Sequence, residues 1–96
     1  METSEVRLSE NKSEAISLLE IATRERRSVL GRVRALLFDL RVEIVRVESL
    51  VKGEGLLERF EIVELDGGPL SRRRAAAIRS TVRRALRRGA APEAAA

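Results

Sequence analysis

Twice along this chain the spacing of apolar residues changes from alternation to a helical period, and that double switch restricts the fold to strands followed by amphipathic helices. The first switch falls at Ser28. Val29, Leu30, Val33, Leu36, Leu37 and Leu40 lie at i, i+1, i+4, i+7, i+8 and i+11, one stripe of a helix, with Arg32, Arg34, Asp39 and Arg41 off it. Ser28 suits the N-cap, because its hydroxyl can accept a hydrogen bond from a free first-turn amide. The second switch falls at Ser71, which opens a helix with the apolar edge Ala75, Ile78, Val82, Ala85 and Leu86, ended by Gly89 and Pro92.

Outside these helices the pattern is extended. Ala15 to Thr23 predicts a strand that turns Leu19 and Ile21 to the core, preceded by a weaker strand Glu5 to Leu8 across the turn formers Ser9 to Ser13. Val42 to Val51 is rich in β-branched residues, and its period of two sets Val45, Val47 and Val51 on one face and Ile44, Arg46, Glu48 and Leu50 on the other. Gly53-Glu54-Gly55 reads as a hairpin turn into a strand from Leu56 to Leu65, with Phe60 and Ile62 inward, and Asp66-Gly67-Gly68-Pro69 stops it. The expected order is ββαββα. It corresponds to an α+β two-layer sandwich, an antiparallel sheet with two helices on one face, over residues 5–89. The Ala-rich tail from Ala90 to Ala96 has too little to bury and is expected to be disordered.

With 96 residues there is room for one modest core. The chain has neither cysteine nor histidine, which removes disulfides, thiolate metal sites and the usual general base at neutral pH. Glu58, Glu61 and Glu64 stand three apart, so neighbours in that series point to opposite faces of a strand, and they read as solvated surface rather than as acid–base pairs. Gly67-Gly68 lacks the Gly-Lys-Ser/Thr spacing of a phosphate loop. No catalytic residue, metal or cofactor is expected, and the chain is read as a binding module rather than an enzyme. With no long apolar run and an acidic, polar start at Met1-Glu2-Thr3-Ser4-Glu5, a cytoplasmic location is expected and a membrane partner is not.

The stretch from Gly53 to Ser71, read as hairpin, strand with Phe60 and Ile62, Asp-Gly turn with Pro69-Leu70, then helix, resembles ACT domains. The similarity is to the C-terminal ACT domains of bacterial nitrogen-regulatory uridylyltransferases, it extends over about Val6 to Leu86, and Asn11, Ser13 and Leu19-Glu20-Ile21 look like the family's lead-in to its first main strand. The resemblance implies a ferredoxin-like fold, dimerisation through sheet and helix edges, and an amino-acid ligand at a loop Asp-Arg-Pro-Gly-Leu-Leu. Here that loop reads Glu25-Arg26-Arg27-Ser28-Val29-Leu30. Glu25, Arg26, Ser28, Val29 and Leu30 are therefore the candidate ligand residues, yet Arg27 and Ser28 replace the Pro-Gly that lets backbone amides approach a ligand, and free amino acids are expected to bind weakly or not at all.

Two surfaces remain as candidate partner sites. From Ser71 to Gly89 there are eight arginines and no acid, inside a chain of formal net charge +4. At about 100° per residue, Arg72, Arg79, Arg83 and Arg87 fall on the side away from Ile78 and Val82, where they could meet an acidic protein or phosphates. The only aromatics are Phe38 and Phe60, so base stacking has no platform, and any nucleic-acid binding is expected to be weak and indifferent to sequence. Leu18, Ile44, Leu50, Leu57 and Val63 share a parity opposite to the core residues and predict an apolar outer sheet face that closes in a homodimer. The leading expectation is a regulatory or assembly module with a protein partner; amino-acid sensing and nucleic-acid binding are the alternatives.

Overall fold

The computed structural model describes residues 4–11, 15–24 and 28–88. The elements follow in the order β1 (Ser4–Asn11), β2 (Ile16–Thr23), α1 (Leu30–Asp39), β3 (Val42–Lys52), β4 (Gly55–Glu64) and α2 (Arg72–Arg88). Four strands form one antiparallel sheet in the order β1-β2-β4-β3. Both helices lie on the same face. Val33 and Leu37 of α1 and Ile78, Val82 and Leu86 of α2 join Val6, Leu19, Ile21, Phe60 and Ile62 of the sheet in one core, so the alternating residues of β2 and β4 point where their period places them. β1 is longer than the sequence suggests, running through Ser9 and Glu10, while Lys12 and Ser13 of the expected turn and the tail from Gly89 onward lie outside the described residues.

A bulge in β3 changes which residues face inward. Ile44 pairs with Ile62 and Arg46 pairs with Glu61, so Val45 is an extra residue without an opposite number. The parity of the strand reverses there. Ile44, expected on the outer face and in the dimer surface, packs against the core instead, and Val45, expected inside, is 52% exposed. Val51 keeps the inner parity, near the end of β3, and is 63% exposed. The bulge predicts opposite sensitivities for neighbours. Ile44→Ala is expected to cost about 1–2 kcal/mol and Val45→Ala no more than about 0.5 kcal/mol in urea unfolding.

The connections have identifiable causes. Ser71 Oγ accepts from the Arg74 amide at 3.1 Å and caps α2, as its position before the arginine run suggests. Between β4 and α2, Gly67 N donates to Glu64 O at 2.8 Å, Gly68 N to Asp66 Oδ1 at 2.8 Å and Glu64 N to Gly68 O at 2.9 Å, which closes the Asp-Gly-Gly turn on itself. Arg74 joins α2 to the rest of the fold: its guanidinium donates to Glu64 Oε2 at 3.0 Å and to the carbonyls of Leu40 and Arg41, acceptors at the end of α1. That bond ties α2 to the close of α1, where Arg41 adopts φ 62°.

Candidate binding surfaces

The start of α1, where the resemblance would put a ligand, is occupied by a side chain of the chain itself. Glu58 stands on the inner face of β4 between Ile21 and Ser49 and is only 2% exposed. Its Oε1 accepts from the Val29 amide at 3.0 Å, and its Oε2 accepts from the Ser28 hydroxyl at 2.8 Å and the Ser49 hydroxyl at 3.1 Å. A carboxylate here also lies at the electropositive end of the helix. Ser28 is therefore not the N-cap. Val29 holds that position, and Ser28 Oγ instead accepts from the Leu30 amide at 3.1 Å while donating to Glu58.

The reading of Glu58 as solvated surface is thus corrected: it does point away from Glu61, but into the helix layer rather than into water. No lysine or arginine among the described residues forms an ion pair with it. Three hydrogen bonds compensate its burial instead. Of the five candidate ligand residues, Ser28 and Val29 bond to this carboxylate, Leu30 bonds to Ser28 Oγ, and Val29 is itself in the core, whereas Glu25 and Arg26 lie outside the described residues.

On α2 the expected arginine face is present. Arg72, Arg73, Arg79, Arg83, Arg84 and Arg87 are exposed, and Ile78, Val82 and Leu86 are buried on the opposite side. Arg72 and Arg79 also line a groove of about 330 Å³ between the start of α2 and the end of the β1–β2 hairpin, with Leu8, Ser17, Leu70 and Ala75 in its walls. Two arginines, the Glu10 carboxylate and a partly apolar floor meet there. One further exposed group escaped the sequence reading: Phe38, on α1, is 80% exposed.

The outer face of the sheet carries Leu18, Leu50, Leu57 and Val63, together with Ala22 and Ile16, without Ile44. No helix among the described residues lies over it. Charged residues divide it: Arg59 stands 3.2 Å from Glu20 and 3.6 Å from Glu48, its neighbours on either side. Among the described residues no group of histidine, cysteine or carboxylate side chains is placed to hold a metal, and no helix is long and apolar enough to cross a membrane. In comparisons with known proteins, the chain matches no family model, no curated protein and no solved structure.

Proposed function

We propose that the chain is a non-catalytic assembly or regulatory module that dimerises and binds an acidic protein surface through α2. The observation that carries this reading is the division of labour among the arginines of that helix. Arg74 is committed to Glu64 and the end of α1, while Arg72, Arg79, Arg83 and Arg87 stay exposed on a helix with no acid to pair with them. Exposed arginine beside a partly apolar groove suits protein contacts, in which planar guanidinium groups pair bidentately with carboxylates and apolar neighbours exclude water.

An ACT-like, ferredoxin-like fold is part of the proposal. The run β2-α1-β3-β4-α2 supplies the first five elements of a βαββαβ unit, and β1, leading rather than following, adds the fourth strand beside β2. Amino-acid sensing is the weaker reading, because Glu58 already satisfies the Val29 amide that a ligand carboxylate would need.

Affinity capture with the parent chain and the double variant Arg79→Ala/Arg83→Ala tests the partner surface. Both arginines lie off the buried stripe, so stability is expected to change by less than about 0.5 kcal/mol. Capture of a specific acidic protein is expected to fall about tenfold or more. Equal capture by both proteins would remove α2 as the partner surface. Tight retention of one DNA or RNA sequence by the parent at physiological salt would put nucleic acid in the protein's place, with affinity falling steeply as salt rises.

A further inference from the structure

We infer that the open face of the sheet stacks on the same face of a second copy, about a two-fold axis running parallel to the strands between β2 and β4. The inference rests on the dimer reading above and specifies its geometry. Its basis is one row of residues across the sheet. Arg7 pairs with Glu20, Glu20 with Arg59, and Arg59 with Glu48, so the four strands in spatial order present plus, minus, plus, minus at a single level. Opposite charges side by side stabilise the sheet itself.

The same alternation is self-complementary under the stated rotation. The axis exchanges β1 with β3 and β2 with β4 while keeping the level along the strands. Arg7 then meets Glu48 of the second copy, and Glu20 meets Arg59 of the second copy. One level from this row on one side, the same operation sets Ala22 over Leu57, apolar on apolar; one level away on the other side it sets Leu18 over Glu61, so the charged row and the Ala22–Leu57 level carry the contact. A two-fold axis running across the strands at the same row would instead set Arg7 on Arg7 and Glu20 on Glu20, like on like. Isologous contact of this kind is the commonest way in which identical chains close.

Two further observations favour this occupant. The row is loosely held within one chain: Arg59 stands 3.2 Å from Glu20 without an Nε hydrogen bond to it and 3.6 Å from Glu48. The size also fits. Four strands about 4.8 Å apart and eight residues at about 3.4 Å give roughly 500 Å² in projection. Side chains standing on that area raise its accessible surface toward the roughly 800 Å² per partner of an ordinary interface. Because Arg59 is flanked by Glu20 and Glu48, it enters the interface with its charge already compensated, which limits the desolvation cost.

Arg7 and Glu48 make the test, because they sit on opposite edge strands and cannot meet within one chain. Light scattering after size exclusion should give the parent twice the chain mass. Arg7→Glu alone and Glu48→Arg alone each create two like-charge contacts per dimer, and each is expected to raise the dimer Kd on the order of a hundredfold. Mixed one to one, they restore both contacts, one with its signs exchanged (Glu at 7 against Arg at 48) and one as in the parent (Arg7 against Glu48), and the dimer mass should return. Either variant remaining dimeric alone would overturn the inference and leave the dimer reading standing on another surface. A mixture that stays monomeric would overturn it as well. A parent monomeric at every concentration would remove both. Circular dichroism checks folding; if a reversed charge unfolds the chain, Arg7→Gln and Glu48→Gln are each expected to weaken the dimer on the order of tenfold, and an unchanged Kd would overturn the proposed contact.

Discussion

Glu58→Ala is expected to lower the unfolding free energy by about 3 kcal/mol, one of the two largest effects anticipated for a single substitution in this chain. The carboxylate holds three donors from three places in the sequence: the Val29 amide, the Ser28 hydroxyl and the Ser49 hydroxyl. Alanine leaves a void beneath α1 and strands the buried Val29 N–H. The hydroxyls can turn elsewhere; the amide cannot. Glu58→Gln is the informative companion. Its carbonyl oxygen still accepts from Val29, and rotated hydroxyls can accept from its amide group, so a loss of about 1 kcal/mol is expected. Urea unfolding of the three proteins measures both. A cost below about 1 kcal/mol for alanine would show that the buried carboxylate does not hold the start of α1 in solution.

Gly55→Ala should be comparably damaging, by about 3 kcal/mol, for a steric reason. A Cβ on Gly55 would overlap the Thr23 carbonyl oxygen and crowd Arg24 Cα, both backbone atoms of the segment at the end of β2. Neither can rotate away, so β4 would have to pull back from β2 at the level where Thr23 pairs with Leu56. Gly53 provides the control within the same hairpin. It needs a positive φ of 61°, but a Cβ there would meet nothing within 4 Å. Gly53→Ala is therefore expected to cost only about 1 kcal/mol, the penalty for a left-handed backbone. Similar losses at the two positions would mean that the approach of β2 to the hairpin is looser than the structure has it.

These two sites bear on function because they define what is already committed. The start of α1 and the Gly55 contact are saturated by the chain's own atoms, whereas the arginine face of α2 and the outer face of the sheet, beyond the ion pairs of Arg59, present charge and apolar area to solvent. Surface of that second kind is what association can draw on.

The order of elements and most inward residues follow from periodicity alone. Leu19 and Ile21, Phe60 and Ile62, and Ile78 and Val82 occupy the core because alternation or a helical period leaves them nowhere else to point. Ser71 caps α2 as a local hydrogen bond that needs only four consecutive residues. What lies beyond the sequence depends on partners distant along the chain. Ile44 and Val45 exchange faces because one residue of β3 has no opposite number in β4, and a period of two cannot register a single insertion. Arg74 leaves the arginine face because the α1 carbonyls it reaches are more than thirty residues away. Glu58 is a core residue because donors from α1 and β3 converge on it, 29, 30 and 9 residues off. A glutamate in an alternating strand carries no local mark of that. Its burial is decided by the three-dimensional supply of hydrogen bonds, since without them a carboxylate on that face would be expelled to water.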